Sequence, residues 1–232
     1  MSVTDDWTVH RPFLVGFVRK LTGNHAACED IVQTTFEAAV RNAEGFEGRS
    51  DLRTWLAAIA KNEAFRVLGQ RKQDLKRLRR LRQEENRRAA SPGSDDPDVL
   101  EDVKNGCLFA LLHGLPWAQR CAFVLRCLYD LPLADVARVV GRNENATRIL
   151  VSRARSTVRS FLCDHCEHVA NRPSCRCANL TGFAIQASLV RQIRHDPRIG
   201  PAKAVFRQFR DDLELLKSLP TESVKGIAPP LI

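Results

Sequence analysis

The sequence predicts an all-α chain: two helical units joined by a linker, followed by a short Cys-rich helical extension at the C-terminal end. Three observations carry this expectation. Apolar residues recur at spacings of three and four, whereas β-branched residues rarely alternate with polar ones. A run of turn formers with almost nothing to bury separates two such helical regions. Past Leu162 the composition changes to a Cys and His cluster. The 232 residues are 44% hydrophobic and 27% charged, enough to bury real cores, and 11 Pro and 12 Gly are too few for a low-complexity or fibrous chain. No apolar run approaches the roughly 18 to 20 residues of a membrane span. Asp5 and Asp6 stand where a secretory signal would be basic and then apolar, so a cytoplasmic location is expected.

In chain order, Ile31, Val32, Thr35, Phe36, Ala39 and Val40 form a wide stripe on one helix. Ser50 followed by Asp51 caps a second helix that turns Leu52, Leu56 and Ile59 inward. That helix runs on into a basic segment, Arg71 to Arg88, with nine Lys or Arg against three acids and Leu75, Leu78 and Leu81 along one side. Residues 89–96, with Ser91, Pro92, Gly93 and Ser94, read as the linker. Asp96 and Pro97 suit a cap and first helical position, and helices follow at about 98–113, 117–129, 133–140 and 144–162, punctuated by Gly114, Pro116, Pro132 and Gly141.

Lys and Arg number 36 against 27 acids, a net charge of +9, which favours a polyanionic partner without choosing between nucleic acid and membrane. The segment Leu133 to Leu162 supplies a discriminating pattern: a short helix with small Ala137 facing inward, Gly141 for a tight turn, and a second helix with a stripe of Thr147, Leu150, Val151, Ala154 and Val158. Arg148, Ser152, Arg155 and Arg159 then fall on or near the exposed side, as in a helix-turn-helix whose second helix enters a major groove. An ordinary helical hairpin with solvated arginines would show the same stripe.

The order of short motifs along the chain narrows the choice. The first half reads His10-Arg11-Pro12, Leu21-Thr22-Gly23, Cys28-Glu29-Asp30-Ile31-Val32-Gln33, Phe36, Thr54-Trp55-Leu56 and Ile59-Ala60-Lys61-Asn62. The second reads Leu115-Pro116, Arg120, Phe123, Leu125, Asp135-Val136-Ala137, Gly141 and Arg153-Ala154-Arg155. Together, over roughly residues 7 to 163, these resemble the bacterial extracytoplasmic-function (group four) sigma factors. The resemblance implies a sigma domain 2 over residues 1–88 that binds core RNA polymerase and opens the −10 element. It also implies a linker at 89–96 in place of a large intermediate domain, and a sigma domain 4 over 97–162 that reads the −35 element of promoter DNA.

By position the resemblance places Asp30 and Gln33 on the polymerase-binding face, and Lys61, Asn62 and Arg66 at promoter melting and −10 recognition, with Arg71 and Lys72 as phosphate contacts. The chemistry suits the task, since amides hydrogen-bond base edges and cations hold phosphates. Trp55 lies in the same segment, but a helical Trp flanked by Leu is more often core than stacking platform. On the second helix of the helix-turn-helix, Arg148, Ile149, Ser152 and Arg155 are the DNA-facing candidates. Where the family tends to have a threonine, a serine and an arginine, this chain has Ala146, Ile149 and Leu150. Leu150 fits the apolar stripe, while Ile149 is expected to be exposed, toward a thymine methyl or a protein surface.

Residues 163–232 form the extension. Cys163-Asp164-His165-Cys166-Glu167-His168 is followed by Pro173 and Cys175-Arg176-Cys177, a C-x2-C and a C-x-C that offer four thiolates, with His165 and His168 able to replace one. A soft or borderline ion is implied: Zn²⁺ foremost, with Cd²⁺ or Cu⁺ also suited to thiolates. A structural zinc and plain reduced thiols are the competing readings. Some members of the family, the CorE type, carry a Cys-rich C-terminal domain that makes activity metal-dependent, and the cluster here is similar. On that reading the ion controls where the helices after Leu180 dock, through a Phe206, Phe209, Leu213 and Leu216 face. Cys28, Cys121 and Cys127 read as small core residues; Cys107, near the linker, could be met by a fold-back of the tail, although core is the simpler reading.

Other classes fit less well. A metal-responsive helix-turn-helix repressor would not need the first domain. A zinc deaminase wants a His-x-Glu and a Pro-Cys-x-x-Cys pair, and neither is present. No phosphate loop or nucleophile elbow occurs, so the chain is not expected to be an enzyme. The Arg71–Arg88 stretch has too narrow an apolar face, without aromatic anchors, for membrane binding. The sequence leaves open whether a separate anti-sigma factor exists.

Overall fold

The computed structural model describes residues 3–22, 25–46, 48, 50–68, 97–166 and 176–186. The described secondary structure is helical, without a strand. Helices α1 (Val3–Thr22), α2 (His25–Arg41) and α3 (Leu52–Leu68) make the first unit, with a 3₁₀ turn at Ala43–Gly45 between α2 and α3. The second unit comprises α4 (Pro97–Gly114), α5 (Trp117–Phe123) continued by a π turn at Val124–Leu128, α6 (Leu133–Val140) and α7 (Glu144–His165). A last helix, α8 (Cys177–Gln186), lies in the extension. The basic segment from 71, the linker and the Phe206–Leu216 face fall outside the described residues. No described helix is long and apolar enough to cross a membrane.

The first unit follows its apolar pattern. Leu14, Phe17, Val18 and Leu21 of α1 meet Ile31, Val32 and Ala39 of α2 and Leu56, Ala57, Ala60 and Ala64 of α3, all buried. Alanines on α3 let the helices approach closely. The Asp51 side chain accepts from the Arg53 N–H at 3.2 Å, which caps α3 as its sequence predicts. Helix α1 was not marked by its own periodicity in the sequence, and it continues through Pro12.

In the second unit Gly141 ends α6 at φ +70, a left-handed cap that costs glycine nothing. Asn143 then caps α7, its side-chain oxygen accepting from the Ala146 N–H at 2.8 Å. Ala137, Thr147, Val151, Ala154 and Val158 are buried, so the stripe read from the sequence is the packed face of the turn. Helix α7 reaches His165, three residues beyond the expected end, because Leu162 is still buried and its carbonyl accepts from the Cys166 N–H at 2.9 Å. The boundary between the second unit and the extension therefore falls inside a helix.

The two units share one continuous core that joins Leu14, Leu21 and Leu56 to Leu112, Leu115 and Leu125. Helix α1 packs on α4 and the π turn, and α3 packs on α6. Arg120, only 2% exposed, bolts this junction: its guanidinium donates to the Leu21 carbonyl at 2.6 Å, that of His113 at 3.0 Å and that of Leu115 at 3.3 Å. These carbonyls lie at the C-terminal ends of α1 and α4, where intrahelical partners run out and the helix dipole favours a cation. On the other side Tyr129 meets Phe13 edge to face at 4.9 Å and accepts from Lys20 Nζ at 3.1 Å. Gly16 makes that approach possible, since a Cβ there would run into the Tyr129 hydroxyl.

Candidate nucleic-acid and polymerase interface

Two helical surfaces carry the residues singled out by sequence. On α7, Arg148, Ile149 and Ser152 are exposed, and Leu150 is drawn partly into the core. Ile149 is 51% exposed, as the stripe predicts. Arg148 is steadied by a bond to Asn145 Oδ1 at 2.8 Å, one turn back toward the helix start. Arg155 lies half-buried, its Nε donating to Cys127 Sγ at 3.2 Å, so its guanidinium is anchored to the domain rather than extended freely. The face as a whole is cationic at both ends and apolar at Ile149, which can meet phosphates and a methyl-bearing base edge.

On α3, Asn62 and Arg66 are exposed, with Arg66 paired to Glu63 at 2.9 Å. Lys61 is half-buried. Desolvation lowers its pKa, and the nearby Cys121 acts in the opposite sense. Cys121 itself is fully buried, which pushes its thiol up to about 12 and keeps it neutral. Trp55 packs against Phe46, ring centroids 5.1 Å apart, and against the core. The aromatic that α3 does expose is Phe65, 49% accessible, which the sequence reading did not select. Its position, three after Asn62 and one before Arg66, was the available signal. Arg71 and Lys72 lie outside the described residues.

Asp30 and Gln33 share an exposed face of α2, one turn apart, with Gln33 Nε2 donating to Glu37 Oε1 at 3.3 Å. They are clear of the core formed by their neighbours Ile31 and Val32, so a protein partner can reach them.

The thiols divide. Cys163 is exposed on the last turn of α7 and Cys166, its half-buried cap, follows three residues later. Cys177 opens α8 and is 8% exposed in a small apolar cluster with Val99, Val103, Leu100 and Leu180, where α8 docks on α4. Cys107 is half-buried on α4, one turn beyond Val103. Cys28, Cys121 and Cys127 are buried in the main core. Cys175, His168 and the His165 side chain lie outside the described residues. Among the described residues no three His, Cys, Asp or Glu side chains gather as a metal-holding group.

Comparison with known proteins returns the same two units. The profile of sigma-70 region 2 matches residues 7–73 and that of sigma-70 region 4 matches residues 105–158, together more than half of the chain. The ECF RNA polymerase sigma factor SigG of Mycobacterium tuberculosis is 32% identical over 65% of this chain and 46% of its own length. The ECF RNA polymerase sigma factor EcfG of Rhodopseudomonas palustris is 29% identical over 69% of this chain and 85% of its own. The chain thus spans about half the length of SigG and most of EcfG. A solved structure of the Bartonella quintana sigma factor RpoE with the anti-sigma factor NepR is 25% identical, covering 68% of this chain and 95% of that one, with a TM-score of 0.48. The two matched regions, in this order and on this helical frame, make the chain a member of the sigma-70 family, of its extracytoplasmic-function group.

Proposed function

We propose that this chain directs core RNA polymerase to specific promoters, its first unit binding the polymerase and the melted −10 element and its second reading the −35 element as duplex. The observation that carries this reading is the Gly141 turn: it sets α7 on α6 with Arg148, Ile149 and Ser152 outward, within a chain whose two units match region 2 and region 4 in order. The division of chemistry supports it. Helix α7 offers cations and one apolar contact to a groove, α3 offers an amide and cations to an opened strand, and α2 offers Asp30 and Gln33 to a protein. The chain positions DNA; polymerase forms the phosphodiester bonds. Pull-down of purified core polymerase, followed by run-off transcription from a library of genomic fragments, tests it. Stoichiometric binding and a defined set of start sites are expected; absence of core binding refutes it.

The extension adds a thiolate switch to this reading. Cys163 and Cys166, three apart over the last turn of α7, lie on one side of the helix, which fits two sulfurs on one ion. Cys175, His165 and His168 are the further donors the sequence supplies. The ion would contribute charge compensation for the thiolates and a fixed point for the chain after α7. Cys177 is packed with Val99 and Val103, and apolar burial disfavours a thiolate. Its recruitment as a ligand therefore opposes the docking of α8 on α4, and this couples ion loading to the position of the tail. Elemental analysis of the wild type beside Cys163→Ser, Cys166→Ser, Cys175→Ser and Cys177→Ser is the direct test, with loss of Zn²⁺, Cd²⁺ or Cu⁺ expected. Transcription measured while each ion is titrated separates a sensor, whose output changes, from a structural zinc, whose output stays flat.

A further inference from the structure

Arg155 differs from Arg148 in what holds it. Arg148 is steadied from within α7, by Asn145 one turn back. Arg155 is held from another element: its Nε–H donates to Cys127 Sγ at 3.2 Å, across 28 residues of chain. Cys127 sits in the π turn at Val124–Leu128 and is 5% exposed. That turn is tied down around it. The Tyr129 N–H reaches the Val124 carbonyl at 3.2 Å, and Arg126 donates to the Leu131 carbonyl at 2.8 Å and to Asp130 Oδ1 at 3.2 Å. Asp130 adopts a left-handed φ of +50 as the chain turns toward α6. Such widened turns are rare and recur at functional sites. Packing alone would be served by any small apolar side chain at position 127; a sulfur adds an acceptor.

We infer that Cys127 is a positioning residue for promoter DNA: its sulfur sets the Arg155 guanidinium end-on to a phosphate of the −35 duplex, and so helps to fix how α7 seats in the groove. The inference rests on the sigma-factor reading and deepens it. A guanidinium carries five N–H donors in one plane. With Nε–H taken by Cys127 the plane is set, and the two terminal amino groups have no hydrogen-bond partner among the described residues. That fork fits two oxygens of one phosphate. Position along the helix favours phosphate over base: Arg155 lies about three turns beyond Glu144, whereas a recognition helix meets base edges with its first residues. Ser152 and Arg148, one and two turns earlier on the same side, are the ones placed for the groove. Holding the Arg155 side chain in advance removes rotamer entropy that a free arginine would lose on binding.

The test uses the full chain with core polymerase and, as probe, a fluorescein-labelled duplex cut from upstream of the strongest start site recovered with the wild type. Cys127→Ala should weaken binding about fivefold and leave the slope of log Kd against log salt unchanged, because the charge is still present. Arg155→Gln should weaken it further and lower that slope by about 0.9, the share of one phosphate contact. Cys127→Ala added to Arg155→Gln should then change nothing more. Cys127→Ser keeps an acceptor and should recover part of the loss. Should the alanine chain unfold, Cys127→Val, which fills similar space without a hydrogen-bonding group, serves in the same cycle. A loss that persists in full beside Arg155→Gln makes Cys127 a packing residue and overturns the inference, as does wild-type affinity in the variant that lacks the sulfur. Absence of core binding by the wild type sinks the sigma-factor reading itself, whereas recovered start sites with an additive cycle sink only the role of Cys127.

Discussion

Helix α7 turns Arg148, Ile149 and Ser152 to solvent, whereas α3 keeps Lys61 half-buried and sets Phe65 against Trp117 of the second unit. Both are helices with a basic, exposed side, and sequence treats them alike. The difference arises from what each buries. The apolar stripe of α7 is used up within its own unit, by α5 and α6. Helix α3 is flanked by α1 and α2 on one side and α6 on the other, so part of its polar edge is drawn into the junction. One face stands clear of the junction between the units; the other borders it.

The largest expected effect tests that hold. Arg120→Ala strips three helix-end carbonyls of a charged donor and should cost about 3 kcal/mol or more in urea unfolding. A loss under about 1 kcal/mol would show that the bolt contributes little. Next comes pH. Burial, with Arg120 adding to it, lowers the pKa of His113 from 6.5 to about 4. The unfolded chain then binds the extra proton between those values. Stability is full above pH 6.5 and is lost as pH falls toward 4, by an amount on the order of 3 kcal/mol. His113→Gln should flatten this part of a pH–stability profile.

Smaller effects probe the open face. Asn143→Ala removes the cap of α7 and should cost about 1 kcal/mol, read as a lower urea midpoint with an unchanged slope. Duplex binding should weaken while single-strand binding through α3 stays the same. Ile149→Thr should change stability by less than about 0.5 kcal/mol, because the side chain is already half in water. It should still alter the bases recovered when the chain and polymerase select from a random duplex pool. An unaltered preference would mean that Ile149 faces a protein instead.

Helix boundaries in the second unit were legible because turn chemistry announces them: Gly114, Pro116, Pro132 and Gly141 each act on their own backbone. The inward stripe of α7 and the exposure of Ile149 followed from helical spacing alone. Helix α1 was harder, since Pro12 falls inside its pattern and its apolar face is shared among α2, α3 and the second unit. On the candidate site, Asn62 and Arg66 were readable as an exposed pair and Trp55 as a packed residue. Phe65 was passed over because an apolar residue on a helix is ordinarily counted as core. Cys177 is a candidate ligand by its C-x-C spacing, and its packing against Val99 and Val103 is a second property, which only the docking of α8 reveals.

By itself the sequence determined the helical class, the two units in their order, the helix-turn-helix and the residues that line its outer face, since periodicity, caps and motif order are local properties of the chain. Tertiary structure alone decided that the units close on one core, that Arg120 ties α1 to α4, and that Trp117 touches Phe65. Those contacts join positions about fifty to one hundred residues apart, and their free energy comes from burying surfaces and carbonyls that no local pattern marks as partners.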